Sequence, residues 1–239
     1  MEQGHKDSSL VSKVMEGLVT GIVEEKYGAV LPPQDVLSKE FDVSRTVMRE
    51  ALSMLLAREM LDVRPKIGTR IRPMRYWRMI DEEVVSWRFR AKPDPLFLRD
   101  VIEFRALIEP RACAQAAVRG SAADITGIRE AFDVFKAIRP GEPGYQSADE
   151  LLHTRIMEAS GNQFFQQMAA IIRGALSASN PIVTARESNW EAVLLTHGRV
   201  VEAIERRDPK EAEAASIAMI DYTAEEISRA LSIDPLGHT

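Results

Sequence analysis

The hydrophobic period of the chain changes at Met60, and that change leaves few folds open to the N-terminal third. Before it, apolar residues recur three and four apart. Leu10, Val14, Leu18 and Ile22 make one stripe, which predicts a helix from about Ser8 to Lys26. "LPPQ" (Leu31 to Gln34) breaks the chain, and its prolines suit a helix entry. Asp35 to Phe41 predicts a short second helix. "DVS" is a tight turn in which Asp42 tolerates left-handed backbone better than most side chains. Ser44 is placed to cap a third helix, whose apolar face is Met48, Ala51, Leu52 and Leu55. After Met60, "LDVR" and "TRIR" alternate apolar and polar residues, as strands do. Pro65 to Gly68 joins them, and Gly68 can supply a positive φ at the turn. Three helices and a two-stranded ribbon make a winged helix-turn-helix over residues 1–75.

The rest of the chain reads as helical. "WRMIDEEVVSWRF" is a short amphipathic connector followed by the break "AKPDP", together residues 76–95. Helices are expected from Leu96 to Arg119, after a capping box at Ser121 and Asp124, and from Ser147 to Ala159, with the loop "RPGEPG" between the last two. Further helices follow at Gln163 to Ala178, about Ser188 to Arg207, and Pro209 to Leu231. Residues 96–239 are then an all-α antiparallel bundle of common domain size. The fold class is mostly α. Trp77 and Trp87 flank the connector and are expected to pack the two domains together.

Hydrophobic residues make up 45% of the 239, enough to close a core. The single cysteine, Cys113, lies in "RACAQAAV", excludes an intramolecular disulfide framework and suits a reducing cytosol. No stretch approaches the roughly 20 apolar residues that span a bilayer, and "MEQGHKDSSL" lacks a signal-peptide core. A cytoplasmic protein without a membrane partner is expected.

Charge is distributed unevenly. The net charge is −5. From Arg45 to Arg78 nine basic residues face three acidic ones, a balance of +6, which leaves the remainder at −11. A recognition helix in the major groove reads base edges with its N-terminal side chains. Arg45 and Arg49 stand at that end of the third helix, and an arginine fork matches the two acceptors of guanine. Ser44 and Thr46 can donate to phosphates. Lys66, Gly68 and Arg70 fall on or beside the wing tip. The competing reading is a solvated basic face that binds nothing, but helix, cap, paired arginines and glycine wing agree in order and spacing.

Two of the four histidines, His153 and His197, lie inside the expected bundle, while His5 and His238 lie near the termini. Asp149 precedes His153 by one helical turn. With His197 they could hold Zn²⁺ or a similar ion, although ordinary hydrogen bonding is the plainer reading of the spacing alone. Arg105 and Arg173 interrupt apolar helical runs. A buried arginine must be paired. The choices are a neighbouring acid, such as Glu103 or Glu109, or a clamp on a small carboxylate.

"LPPQDVLSKEFDVSRTVMREALSMLLAREMLDVRPKIGTRIRP" resembles the winged-helix domain of the GntR family of bacterial transcription regulators, with "SRTVMREAL" as its recognition helix. Two positions depart from that pattern. Asp35, preceded by Gln34, stands where the family has a DNA-contacting arginine, and Asp42 stands at the family's turn glycine. "EFRALIEPRACAQAAVRG", "ADELLHTRIMEASGN" and "THGRVVEAIERRDPKEAEAAS" are similar to the FCD ligand domain of the family's FadR-like branch. That resemblance implies a divalent metal (Zn, Mn or Ni) on Asp149, His153 and His197, with Met219 in place of a fourth, histidine ligand. It implies an effector-binding role for Arg105, and Arg173 is a second candidate. "YWRMIDEEVVSWRF" resembles a linker of members that sense sugar acids. The expectation is a ligand-responsive repressor, a homodimer on a pseudo-palindromic double-stranded operator, with a small organic acid as effector. The rival readings are a metal-dependent enzyme acting on a small carboxylate through Asp149, His153 and His197, and a direct metal sensor.

Overall fold

The computed structural model describes residues 2–91, 95–183 and 190–231. The backbone divides into two compact units, Met1–Lys92 and Pro93–Thr239. The fold is mostly α, a winged helix-turn-helix followed by a larger helical bundle, as the hydrophobic periods predict.

The N-terminal unit contains α1 (Glu2–Val23), α2 (Gln34–Glu40), α3 (Arg45–Ala57), the strands β1 (Leu61–Arg64) and β2 (Gly68–Ile71), a 3-10 turn at Met74–Tyr76, and α4 (Glu82–Ala91). α1 stops before the expected Lys26. Glu25 takes left-handed backbone (φ 57°), and Lys26 N turns back to Gly21 O at 2.9 Å. Asp42 is left-handed at the turn between α2 and α3 (φ 50°). Ser44 caps α3, its hydroxyl accepting from Val47 N at 3.3 Å. Val47, Met48, Ala51, Leu52 and Leu55 are the buried face of α3. They join Val14, Leu18, Leu37 and Met60 in one core.

Trp77 and Trp87 are buried in that same core. Their packing lies within the N-terminal unit's own core. Trp77 folds back onto its own unit, its indole N–H donating to Arg72 O at 2.9 Å.

β1 and β2 pair antiparallel, with Leu61 opposite Ile71, Asp62 opposite Arg70 and Arg64 opposite Gly68. The loop between them needs two left-handed residues, Lys66 (φ 63°) and Gly68 (φ 105°). The far edge of β2 is also occupied, because Leu31 N donates to Thr69 O (2.8 Å) and Ile71 N to Ala29 O (3.0 Å). Arg58 ends α3 and reaches the start of α4. Its Nε lies 3.2 Å from Asp81 Oδ2, its Nη2 bonds Glu83, and its guanidinium stacks 5.6 Å from the Trp87 ring centre. Arg78 N donates to Arg58 O at 2.9 Å.

The C-terminal unit is α5 (Pro95–Arg119), α6 (Ala122–Ala137), α7 (Tyr145–Ala159), α8 (Gln163–Val183), α9 (Trp190–Glu205) and α10 (Pro209–Leu231). The Ser121–Asp124 capping box starts α6 as expected. α7 begins before the expected Ser147, directly after Gly144 in left-handed conformation (φ 93°). α10 packs along α5, α8 and α9, while α7 packs on α5, α6 and α8. Ala112, Met157, Ala169, Ile172 and Leu176 form an inner cluster from α5, α7 and α8. Residues 92–94 of the "AKPDP" break, Ser188 and His238 lie outside the described residues. No helix among the described residues is long and apolar enough to cross a membrane.

Candidate functional site

Burial of one face of α3 turns the other outward, and Ser44, Arg45, Thr46 and Arg49 are all exposed on it. Lys66, in the loop between β1 and β2, and Gly68, the first residue of β2, are exposed. Arg70 lies away from the loop tip, within β2, and its Nε and Nη2 meet the two oxygens of Asp62 at 3.1 and 3.0 Å across the ribbon. Arg64 shares the same carboxylate, at 3.0 Å. On this outer face Arg64, Arg70, Arg72 and Tyr76 line an open cleft. Arg75 stacks on Tyr76, 4.7 Å from the ring centre. Arg45 has a partner that sequence reasoning missed: its Nη2 donates to Asp35 Oδ2 at 2.9 Å.

In the helical unit, α5, α7, α8 and α9 bring a polar network into an apolar interior. Asp149 and His153 come from one face of α7, and both are buried. His197 projects from α9. The ligand atoms of Asp149, His153 and His197 lie within 4.8 Å of one another. Each imidazole is oriented from behind. His153 Nδ1 lies 2.9 Å from Glu109 Oε2, and His197 Nδ1 lies 2.7 Å from Val193 O. Those contacts make both Nδ1 atoms donors and leave Nε2 facing the common centre. Asp149 Oδ2 accepts from Asn180 Nδ2 at 2.8 Å. Asp149 Oδ1 lies 3.4 Å from His197 Nε2 and 3.7 Å from His153 Nε2; among the described residues neither it nor His153 Nε2 has a partner at hydrogen-bonding geometry.

Charge is balanced within this network. Glu109 receives Arg105 Nε at 2.5 Å as well as His153, and both acid and guanidinium are only 3% exposed. Burial pushes the Glu109 carboxyl up, but Arg105 and His153 outweigh it and hold the group at about 2. Burial likewise raises Asp149, and His197, His153 and Asn180 bring it down to about 2. Burial lowers the pKa of His153, but Glu109 and Asp149 together outweigh it, and the net shift is upward. Cys113 is buried, and desolvation pushes its thiol up to about 12, which makes it a poor nucleophile at neutral pH.

Arg105, Tyr145, Asp149, Asn180, Thr196, His197, Tyr222 and Thr223 contribute to the walls of a cavity beside the trio. Its interior space is about 20 Å³, room for about one water, and with its mouth it encloses about 370 Å³. Of the two arginines singled out in sequence, Arg105 lines this cavity while bound to Glu109. Arg173 is half-buried on α8, outside the lining. Glu103 is exposed and lies 3.6 Å from Arg99. Met219 is buried one turn before Thr223 on α10. Asn180 and Tyr145 escaped sequence reasoning, since an amide and a phenol in apolar helices carry no spacing signal.

Comparison with known proteins agrees with both halves of this picture. Residues 10–71 match the family described as bacterial regulatory proteins, gntR family, and residues 100–222 match the FCD domain. The galactonate operon transcriptional repressor of Escherichia coli (strain K12) is 28% identical over 206 residues, covering 83% of this chain and 88% of that protein. The solved structure of a Streptococcus agalactiae GntR protein is 25% identical, covers 89% of this chain and 97% of its own, and superposes with a TM-score of 0.50. A Listeria monocytogenes protein, Lar, shares the fold with a TM-score of 0.64 at 15% identity, covering 92% of this chain and 96% of its own. The FCD match alone takes in just over half of the residues. With the winged helix of the N-terminal unit, it makes this chain a member of the FCD-domain, GntR-type bacterial regulators, a DNA-binding transcription factor and not an enzyme.

Proposed function

We propose that the chain is a repressor of the FadR-like branch, a homodimer that reads a pseudo-palindromic operator and responds to a small organic acid bound near a divalent metal. The observation that carries the effector half is a pair of buried atoms without a hydrogen-bond partner among the described residues, Asp149 Oδ1 and His153 Nε2, with His197 Nε2 beside them. Buried polar atoms are rarely left unsatisfied, and one carboxylate oxygen with two imidazole nitrogens is a donor set that suits Zn²⁺, Mn²⁺ or Ni²⁺. Asp149, His153 and His197 would hold the ion, with Glu109 and Val193 O orienting the histidines. A divalent ion held by three protein ligands offers an open position to a carboxylate or hydroxyl oxygen.

The acid would enter from the cavity mouth, because the interior has room for about one water. Tyr145, Thr196, Tyr222 and Thr223 are its hydroxyl partners, Arg105 its charge partner, and Arg173 a second, more distant arginine. Hydroxyl-rich walls suit a polyhydroxy acid, and the relative named for the galactonate operon supports a sugar acid and a repressor. Effector binding can act on DNA affinity only through a preference for one arrangement of the protein over another. Residues 1–75 are the DNA-binding domain, 76–95 the connector and 96–239 the effector and dimerisation domain.

Gel shifts on an operator selected from random DNA test this. Galactonate, gluconate and shorter hydroxy acids are titrated with and without added Zn²⁺ or Mn²⁺. One acid is expected to shift operator binding, and Asp149→Ala is expected to abolish that response. A shift produced by metal alone would make the ion the effector, and no shift by any acid would refute the sugar-acid reading.

The DNA face has its own expected outcome. Arg45→Ala and Arg49→Ala should each weaken operator binding by about 1–3 kcal/mol without altering the melting temperature. Lys66→Ala should weaken operator and random DNA alike, because a wing lysine meets phosphate. Unchanged operator affinity in both arginine variants would remove α3 from the groove.

A further inference from the structure

Arg45 is held by the helix that precedes its own. Its Nη2 donates to Asp35 Oδ2 at 2.9 Å, and its backbone carbonyl accepts from Gln34 Nε2 at 2.8 Å. Both partners sit at the start of α2, so two neighbouring residues fix one arginine by its side chain and its main chain. The ion pair adds little to the fold. The side chains of Arg45 and Asp35 are 76% and 58% exposed, and water screens a pair so open. What it does set is direction. An arginine fork read against a guanine edge must arrive in one plane, whereas a free arginine samples many rotamers. The carboxylate occupies one N–H on Nη2 and leaves the rest of the fork for base acceptors.

The second consequence is electrostatic. Asp35 is an exposed acid on the side of the unit where Ser44, Arg45, Thr46 and Arg49 face outward. A phosphate approaching Arg45 meets that negative charge and must compete with it. Phosphate contacts carry affinity without sequence information, and base contacts carry the information. A carboxylate that weakens the first and orients the second trades affinity on random DNA for discrimination.

We propose that Asp35 is a positioning residue for base reading: it holds the Arg45 guanidinium for a base edge and keeps it from phosphate, so that binding becomes more selective and weaker on random sequence. This rests on the reading of α3 as the helix that enters the groove.

The test uses the full chain and its Asp35→Asn, Asp35→Ala, Arg45→Ala and Asp35→Ala/Arg45→Ala variants. Each is taken through selection on randomised duplex DNA. Kd values follow on the enriched operator, on single-base-pair variants of it, and on random duplex over a salt series. Arg45→Ala identifies the base pair that loses its preference. At that pair, Asp35→Asn and Asp35→Ala are expected to lose about tenfold in discrimination. Both should bind random duplex about threefold or more tightly, and log K against log salt should steepen by about one. In the Arg45→Ala background, Asp35→Ala should change discrimination at that pair no further.

Unchanged discrimination in the Asp35 variants overturns the proposal. So does an equal loss at every base pair with a lowered melting temperature, the signature of a merely structural role. An Arg45→Ala protein that keeps every base preference overturns it too, while leaving DNA binding itself standing. If wild type enriches no motif at all, the groove reading fails first and the proposal with it.

Discussion

Glu109→Ala is expected to destabilise the helical unit by about 3–5 kcal/mol, because it leaves two buried groups, Arg105 and His153, without their shared counter-charge. Removing one partner of a buried ion pair costs far more than the pair contributes over an apolar replacement. Glu109→Gln should cost less, since it keeps acceptor and shape and loses only the charge. Glu103→Ala is the control. Glu103 is 60% exposed, and its removal should fall within about 0.5 kcal/mol of wild type. Urea unfolding of all three variants decides it. A Glu109→Ala loss below about 1 kcal/mol would mean that water reaches Arg105 and His153 and that the network is not sealed.

Met219→His is expected to tighten Zn²⁺ binding by at least about tenfold, or about 1.4 kcal/mol. Met219 is buried on α10, one turn before a cavity-lining threonine, and its thioether is a soft, weak ligand for the ions that Asp149, His153 and His197 favour. The unmodified chain is expected to purify with little metal. Added Zn²⁺ at about 100 times Kd should still stabilise it by about 2.7 kcal/mol, an effect absent in Asp149→Ala. Elemental analysis and titration against a competing chelator measure both quantities. Stoichiometric, chelator-resistant metal in the unmodified chain would show that three ligands suffice. No binding by either protein would assign the trio to the organic acid directly.

What could be read from the chain in advance was whatever repeats locally. The stripe of α3, the Ser44 cap and the Ser121–Asp124 box are short-range patterns, and they stand in the structure as the spacing implies; the alternation after Met60 marks two strands, but Val63 is 62% exposed, so it marks no buried face there. Asp149 and His153 were legible together because one helical turn joins them. The rest depends on distant segments meeting. Asn180 is 31 residues from Asp149, and no period links them. Glu109 was visible as one of two acids near Arg105, but its grip on His153 depends on α5 packing against α7. Residues 29–31 show no strand pattern of their own and are ordered by β2. The place of the tryptophans in the N-terminal core was hidden for the same reason. A large aromatic in a connector can pack either way, and only the three-dimensional path turns Trp77 and Trp87 inward.

Arg58 gives the N-terminal unit a mechanical property. It caps the C-terminus of α3 and also holds the start of α4, through Asp81, Glu83 and the Trp87 ring. These contacts tie the start of α4 to the end of α3 within one unit. In the proposed dimer, an effector that moved each such unit whole would change the spacing and pitch between two reading heads, and operator half-site spacing would be the quantity to which repression is tuned.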